Sequence, residues 1–358
     1  MKKINFYLIS LLVATLFFFN SCGNSTNTEA TDDAAQTEVA AVNEAQILVD
    51  YLEANGNFIN SDNVPAMIKA TEVHENLENP KYLVVDIRKA NDFAKGHIAN
   101  AVNVKAKDMI VYFENDIKPA DYDKIALVCY SGQTASYVTS VMRLLGYNNV
   151  FAMKWGMASW NMPFGEKWLS HVSNDLADQL ETNVNAKPAA GNLPTLSTNQ
   201  TDPKAILKLR AKEVLSTPFS DVLVKAPELF TKGSAYYINN YWPMPKYEAG
   251  HIPGAFQYTP KKSLDTKADL LTLPTDKKVV TYCFTGQHSA FVTAFLRILG
   301  YDAYTLGFGA NSFMNSVMQE KGEGWNAFTQ KEVHDYEVVE EKVEEGAVVE
   351  EEGGGSCG

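Results

Sequence analysis

The chain carries the loop Cys129-Tyr130-Ser131-Gly132-Gln133-Thr134 and repeats its pattern as Cys283-Phe284-Thr285-Gly286-Gln287-His288. Each copy follows a short apolar run and precedes a segment whose apolar residues recur at helical spacing. A Gly-His-Ile motif lies upstream of each loop and a Leu-Gly-Tyr motif lies downstream, and all three landmarks are separated by 154 residues. The sequence therefore predicts a duplicated domain with one cysteine at the strand-to-helix turn of each copy.

A cysteine at such a turn is placed for chemistry. The helix N-terminus directs unpaired N–H groups and a partial positive charge at the sulfur, and both favour the reactive thiolate. The glycine in each loop lets the backbone turn without a Cβ clash. We expect Cys129 and Cys283 to be nucleophiles, and the other loop residues to form a cradle for an anion or persulfide. The cradle residues are Tyr130, Ser131, Gly132, Gln133, Thr134, Phe284, Thr285, Gly286, Gln287 and His288.

Short β-rich runs alternate with helical segments in both halves of the chain, which predicts an α/β fold with a mainly parallel central sheet and helices on both faces of each domain. The predicted organisation is a signal peptide at 1–22, a disordered tether at 23–44, domain 1 at 45–182, a linker at 183–202, domain 2 at 203–328 and a disordered acidic tail at 329–358.

The first 22 residues have the layout of an export signal. Lys2 and Lys3 precede an apolar run, and Ser21-Cys22 follows it. The ending resembles a bacterial lipoprotein signal, in which Cys22 carries the lipid. An uncleaved anchor or ordinary secretion is the alternative. The sequence predicts a protein of the cell envelope that is lipid-anchored and faces the periplasm or the exterior.

The formal net charge of −12 is concentrated at the C-terminus. Residues 331–358 hold ten acidic residues and two lysines, which leaves the rest of the chain near neutral. Nucleic-acid binding requires a basic surface, so we do not expect a nucleic-acid partner.

Four cysteines occur, at 22, 129, 283 and 357, and each predicted domain contains one. A disulfide therefore cannot lie within either domain, and with Cys22 lipidated at least one thiol stays free. The pattern argues against the structural disulfides that are usual in exported proteins.

The two motifs of each half together resemble the rhodanese family. The first motif is Val85-Asp86-Ile87-Arg88, then Phe93, Gly96-His97-Ile98, Ala101 and Asn103, with Asn100 where a glycine is common. The second is the loop Cys129-x-x-Gly132-x-Thr134-Ala135. The resemblance covers roughly residues 60–175 and 218–325. Neither loop contains Arg or Lys, which departs from rhodaneses whose loops carry a cation.

The resemblance implies a sulfurtransferase that forms a cysteine persulfide and requires neither cofactor nor metal. The implied partners are small sulfur donors such as thiosulfate or a persulfide, and thiol, sulfide, sulfite or cyanide acceptors; a protein acceptor is unknown. Asp86 and Arg88 are expected to form an ion pair that positions the loops. His97 and His251 are expected to form hydrogen bonds with the backbone. In domain 2, Asn240 and Trp242 replace the pair, so Trp242 is expected to form an aromatic wall, and His288 replaces Thr134.

Other readings of the sequence stay open. A persulfide carrier or sulfur-sensing module would bind sulfur without turnover of small acceptors. Phosphatases and arsenate reductases have related folds, but their loops are one residue longer and end in an arginine, whereas Ala135 and Ser289 follow the loops here. A purely structural pair of domains would hold unreactive cysteines. A last feature is Cys357, on a glycine-rich arm behind the acidic stretch, which we interpret as a possible acceptor of sulfur from Cys283, or as an inert tail.

Overall fold

A computed structural model describes residues 43–341 of the chain. The predicted signal peptide, the tether up to residue 42 and the segment 342–358 with Cys357 lie outside the described residues. Asn43 and Glu44 do not belong to a tether. The Asn43 side chain caps the first helix, and the buried Glu44 carboxylate accepts hydrogen bonds from the backbone of Thr198 and Asn199. Among the described residues, no helix is both long and apolar enough to cross a membrane.

Domain 1 is built on one five-stranded sheet in which every pairing is parallel and the strand order is β1-β5-β4-β2-β3. Its strands are β1 Met67–Ile68, β2 Tyr82–Asp86, β3 Val102–Asn103, β4 Lys124–Val128 and β5 Val150–Met153. Its helices are α1 Glu44–Ala54, α2 Ala70–Glu75, α3 Ala90–Ala94, α4 Met109–Asn115, α5 Gln133–Leu144 and α6 Met162–Leu169.

Domain 2 repeats this architecture, with the strand order β6-β10-β9-β7-β8 and again only parallel pairings. Its strands are β6 Leu223–Val224, β7 Tyr236–Asn240, β8 Phe256–Gln257, β9 Lys278–Tyr282 and β10 Ala303–Leu306. Its helices are α7 Pro203–Ser216, α8 Ala226–Lys232, α9 Met244–Glu248, α10 Gln287–Ile298 and α11 Asn311–Lys321. The predicted fold class, two tandem α/β domains with parallel sheets, is confirmed.

The two domains share one hydrophobic core. Helices α5 and α10 pack against each other, and buried apolar residues of both domains form a continuous cluster there, including Val138, Val141, Val292 and Phe295. The Ser140 hydroxyl donates to the Phe291 carbonyl across this interface at 2.9 Å. Because each domain buries a helix face on the other, their relative position is fixed by packing and not by the linker alone.

The linker 183–202 contains no helix or strand, yet it is packed: Leu193 and Leu196 are buried in the shared core. The segment just before the linker is hydrogen-bonded to domain 2. Ser173 exchanges backbone hydrogen bonds with the start of α11, and Glu181 exchanges them with His251 at 3.0 and 2.9 Å.

The prediction of a disordered tail from residue 329 is wrong for residues 329–341. These residues, here called the C-terminal strap, cross domain 1. His97 and Val339 exchange backbone hydrogen bonds at 3.0 and 2.9 Å, and the Trp160 indole donates to the Glu337 carbonyl at 2.8 Å. The Tyr336 ring stacks on His74 with centroids 3.9 Å apart. The acidic composition of this stretch predicted disorder, but its apolar residues Tyr336 and Val338 pack on the domain.

Candidate functional site

The cysteine loops lie at the carboxyl ends of the central strands β4 and β9. Parallel strands place their following loops at one edge of the sheet, which is where α/β proteins build sites. Gly132 and Gly286 adopt φ values of +79° and +73° and begin α5 and α10. An ideal Cβ on Gly132 would stand 2.9 Å from the Trp155 backbone nitrogen, so the turn requires glycine.

Backbone N–H groups converge on both sulfur atoms. Cys129 Sγ accepts from the N–H groups of Gly132 and Ala135 at 3.2 and 3.3 Å, and Cys283 Sγ accepts from Ser289 at 3.3 Å. Each sulfur also lies at the N-terminus of a twelve-residue helix. Donors and helix dipole together favour a negatively charged sulfur, whether thiolate or persulfide.

A cavity of about 440 Å³ opens beside the Cys129 loop. Cys129 is only 1% exposed, and its loop neighbours Tyr130 and Thr134 line the cavity. Among the described residues, five basic residues, Arg88, Lys89, Lys105, Lys107 and Lys167, line it together with one acidic residue, Asp92. The cavity is therefore suited to an anionic ligand.

Domain 2 supplies one wall of this cavity. The end of α7 and the turn after it, residues 215–220, line it with Leu215, Pro218 and Phe219, and Phe219 packs on Tyr137 of α5 with centroids 5.3 Å apart. Sequence reasoning missed both this wall and the lysines. One of these lysines could have been singled out from the repeat, because Lys261 lies 154 residues after Lys107, at the matching position of the second domain.

Asp86 and Arg88 form the expected ion pair. The Arg88 guanidinium binds the carboxylate through Nε and Nη2, with Nη2 at 2.6 Å from Oδ2, and Nη2 also donates to the Gly96 carbonyl at 2.7 Å. Both side chains are buried, and Arg88 Nη1 has no hydrogen-bond partner among the described residues. The guanidinium lies 5.2 Å from the centroid of the Tyr130 ring, so the pair supports the cysteine loop directly.

In domain 2 an aromatic stack replaces this pair. Trp242 stacks on Phe284 with centroids 4.7 Å apart, and Asn240 donates to the Tyr282 hydroxyl at 2.7 Å. Trp325 contacts both stacked rings, and Lys246 lies over Phe284. At the positions of the domain 1 ion pair, domain 2 therefore has an aromatic cluster and an amide.

The chain between α1 and β1 also packs on domain 2. Phe58 packs on Phe291 of α10, and Asn60 exchanges hydrogen bonds with the Leu264 backbone. Lys261 Nζ lies 3.5 Å from Asp62 Oδ1. The Cys129 loop thus borders a basic cavity, whereas the Cys283 loop carries Phe284 in an aromatic stack with Trp242.

His288 lies within this packed region. It contacts Tyr241 edge-on, and its Nε2 is buried without a hydrogen-bond partner among the described residues. Burial, with a smaller contribution from Lys261, lowers the pKa of His288 to about 3. The imidazole is therefore neutral at physiological pH.

This histidine is expected to make stability pH-dependent. The unfolded chain binds a proton at His288 below about pH 6.5, whereas the folded chain does not until about pH 3, so stability falls as pH decreases through that window. Between pH 7 and pH 5 the wild-type protein should lose about 1 to 2 kcal/mol more unfolding free energy than His288→Gln. Urea denaturation at both pH values measures this, and parallel losses in the two proteins would contradict it.

Two glutamines connect the sites reciprocally. Gln133 Oε1 accepts from the Phe308 N–H at 2.7 Å, and Gln287 Oε1 accepts from the Trp155 N–H at 2.9 Å. Gln133 Nε2 also donates to the Ser131 hydroxyl in its own loop. The two loops are therefore held back to back, each bound to the turn that follows the last strand of the other domain.

The remaining predicted residues take supporting positions. Thr285 Oγ1 accepts from the Gln287 N–H at 3.2 Å and lies 3.9 Å from Cys283 Sγ. His97 Nδ1 lies 2.9 Å from the Phe93 carbonyl, and His251 Nδ1 lies 2.7 Å from the Tyr247 carbonyl. Both histidines contact backbone one turn earlier in the chain. The positions of Cys22 and Cys357 lie outside the described residues.

Comparison of the chain with known proteins identifies a family that matches its sequence. The model of the family described as the rhodanese-like domain matches residues 69–163 and 242–316. Among curated proteins, a tRNA uridine(34) hydroxylase of Buchnera aphidicola is 27% identical over 108 residues, which cover 28% of this chain and 32% of that protein. The tRNA uridine(34) hydroxylase of Erwinia tasmaniensis is 28% identical over 100 residues, 27% of this chain and 29% of that protein. The chain thus spans about a third of the length of these curated relatives.

Solved structures that resemble the chain include a thiosulfate sulfurtransferase from Pseudomonas aeruginosa, with 17% identity, a TM-score of 0.27 and coverage of 76% of this chain and 47% of that one. Another is a 3-mercaptopyruvate sulfotransferase from Escherichia coli, with 15% identity, a TM-score of 0.24 and coverage of 67% and 97%. The family match falls twice on the chain, once over each parallel sheet and its cysteine loop. The chain therefore contains two rhodanese-like domains in tandem.

Proposed function

We propose that this protein is a sulfurtransferase that carries sulfane sulfur on Cys129. The observation that supports this most is the combination of a sulfur held by two backbone N–H groups with an adjoining cavity lined by five basic residues. The first feature favours a nucleophilic thiolate, and the second attracts anionic donors and acceptors. The rhodanese-like family match agrees with this reaction class.

The reaction proceeds in two balanced steps, with thiosulfate as an example of a donor. The Cys129 thiolate attacks the outer sulfur of thiosulfate, the S–S bond of the donor breaks with its electron pair, and sulfite leaves. Cyanide or a thiolate then attacks the terminal sulfur of the Cys129 persulfide and leaves with it, which regenerates the thiolate. The N–H groups of Gly132 and Ala135 that face the thiolate also face the developing negative charge in both steps.

Lysines of the cavity supply the positive charge that the six-residue loop itself lacks. Lys105 and Lys107 come from the chain after β3, Lys89 from the turn before α3, and Lys167 from α6. They line the cavity beside the loop instead of lying in the loop itself. We infer that domain 1 uses an anionic donor or acceptor, and that the apolar wall from residues 215–220 sets the size that it accepts.

Intact-protein mass spectrometry tests the proposal. The reduced protein is incubated with thiosulfate, and the mass gain of one sulfur atom is assigned to a cysteine by peptide mapping after alkylation. We expect the sulfur at Cys129 and its removal by cyanide with release of thiocyanate. A protein that never gains sulfur from thiosulfate, an organic persulfide or polysulfide would contradict the proposal. Loading without turnover of small acceptors would favour the persulfide-carrier alternative.

We further propose that the protein works in the bacterial cell envelope, held there by a lipid on Cys22. The support is the sequence of residues 1–22, with its basic start, apolar run and Ser21-Cys22 ending. We expect radiolabelled palmitate to enter the wild-type protein in its bacterial host and not Cys22→Ser, which should move to the soluble fraction or stay unprocessed. A wild-type protein without label would refute lipidation.

A further inference from the structure

The Cys129 loop rests on the turn that follows β5. The Met157 N–H donates to the Cys129 carbonyl at 2.8 Å, and the Ala158 N–H donates to the Tyr130 carbonyl at 3.0 Å. Trp155, in the same turn, has a left-handed φ of +66°. This conformation is uncommon for a bulky side chain and persists only where neighbouring contacts impose it. The shape of the turn therefore helps to fix the loop that carries the sulfur.

A side chain of domain 2 holds this turn. The Trp155 backbone N–H donates to Gln287 Oε1 at 2.9 Å. Gln287 is the first residue of α10, four positions after Cys283, and it is fully buried. The same Oε1 lies 2.5 Å from where a Cβ on Gly132 would stand, and the Gly132 N–H donates to Cys129 Sγ. One side-chain oxygen of domain 2 therefore lies against both the supporting turn and the cysteine loop of domain 1.

The packing of domain 2 alone does not account for an amide at this position. Gln287 Nε2 is buried without a hydrogen-bond partner among the described residues, and burial of an unpaired amide N–H disfavours folding. An apolar side chain of the same length would fill the space without that penalty. The amide is explained by its oxygen, because the Trp155 N–H that it accepts is itself a buried donor that requires an acceptor.

The reciprocal contact repeats every part of this arrangement. Gln133, the first residue of α5, accepts through Oε1 from the Phe308 N–H at 2.7 Å. Phe308 has a left-handed φ of +60°, and in the same turn the Ala310 N–H donates to the Cys283 carbonyl at 3.0 Å. The residues around the two loops differ in charge and size, yet both loops have this support. The arrangement therefore belongs to the cysteine loop and not to one particular ligand.

We propose that Gln287 is a positioning residue for Cys129, supplied by domain 2, an inference that rests on the proposed sulfurtransferase function. Its Oε1 holds the turn at Trp155, that turn holds two carbonyls of the cysteine loop, and the loop fixed in this way directs its N–H groups at Sγ. Donors that keep their direction before the reaction favour the thiolate and the negative charge that develops on sulfur. Domain 2 thus completes the domain 1 site through a residue of the Cys283 loop, whether or not Cys283 itself carries sulfur.

Gln287→Met tests the effect on sulfur transfer. Methionine keeps the length of the side chain and removes the acceptor for the Trp155 N–H. We expect the loading of Cys129 by thiosulfate, followed by peptide mapping in the full-length protein, to slow about five- to tenfold, because displaced donors no longer face the sulfur. Cys283→Ser, in the same loop, should change this rate by less than about twofold. A loading rate in Gln287→Met equal to that of the wild type would overturn the inference and leave the proposed function standing, whereas a wild type that gains no sulfur would overturn the proposed function itself.

The pH profile of alkylation separates positioning from stability and does not depend on sulfur transfer. The rate at which iodoacetamide modifies Cys129 is measured by peptide mapping across the neutral and alkaline range. We expect its midpoint to rise by about 0.5 to 1 pH unit in Gln287→Met, because loosened N–H donors favour the thiolate less. The control Thr293→Val removes another buried hydrogen bond of α10, from Thr293 Oγ1 to the Tyr304 carbonyl at 3.0 Å, and should lower stability without moving the midpoint. An unchanged midpoint in Gln287→Met, or an equal shift in the control, would overturn the inference.

Hydrogen exchange of the wild type gives a second measurement that needs no folded variant. The Trp155 amide is expected to exchange as slowly as the amides inside α10, because its hydrogen bond to Gln287 opens only when the two domains move apart. Fast exchange at Trp155 in a protein whose α10 amides stay protected would overturn the inference.

Discussion

Cys129→Ser is expected to lower sulfur transfer at least about 100-fold, whereas Cys283→Ser should leave the turnover rate within about twofold of the wild type. The serine hydroxyl cannot form a persulfide, so loss of the working cysteine removes the covalent step entirely. Both sulfurs accept backbone N–H groups, but only the Cys129 loop borders the basic cavity. Thiocyanate release from thiosulfate and cyanide measures the difference.

The two variants serve as controls for each other. Both cysteines are buried at the start of a twelve-residue helix, and the loop glycines have similar φ values of +79° and +73°, so the same substitution is made in two comparable turns. Cys129→Ser/Cys283→Ser should show no transfer to any acceptor. Equal losses in the two single variants would mean that both cysteines carry sulfur and that the basic cavity does not decide between them. Activity that survives in the double variant would end the cysteine-persulfide mechanism.

The sequence was sufficient for the fold because the fold depends on local patterns that occur twice. The apolar runs before Cys129 and Cys283 predict buried strands, and the glycines at 132 and 286 predict the tight turns that begin α5 and α10. Each of these signals lies within a few residues of the element that it specifies. All of these signals recur after 154 residues, and this recurrence indicates the duplication.

The sequence was less informative about the site, because the site depends on contacts between distant residues. Lys105 and Lys167 are more than sixty residues apart, and the wall at 215–220 belongs to the other domain, yet all line one cavity. Composition also misled at the tail. The acidic stretch from Lys331 predicted disorder, whereas Trp160 and His97 bind its backbone through residue 339. Tyr336 and Val338, on either side of Glu337, have the period-two spacing of a strand-like segment that packs one face on the domain.

Arg88→Met is expected to destabilise the protein by about 3 to 5 kcal/mol and to abolish transfer through Cys129. The substitution leaves the Asp86 carboxylate buried without its guanidinium, and breaking one side of a buried ion pair costs about that much. It also removes the donor to the Gly96 carbonyl and the cation beside Tyr130. For a protein of this size we expect the midpoint of thermal unfolding to fall by about 5 to 8 °C. Differential scanning calorimetry measures it.

The double variant Asp86→Asn/Arg88→Met separates the cost of the unpaired Asp86 charge from the loss of the contacts that Arg88 makes. Asparagine keeps the oxygen that accepts from the residue 88 N–H, seen at 2.9 Å in the wild type, and removes the uncompensated charge. Stability should therefore return by at least about half of the loss, since a buried pair replaced by neutral residues is often close to neutral in free energy. Activity should not return, because the cavity still lacks the guanidinium that supports the Cys129 loop. Domain 2 already has neutral residues here: Asn240 and Trp242 occupy the matching positions. If the double variant were as unstable as Arg88→Met, the guanidinium's contacts with Gly96 and Tyr130, and not the charge of Asp86, would account for the loss.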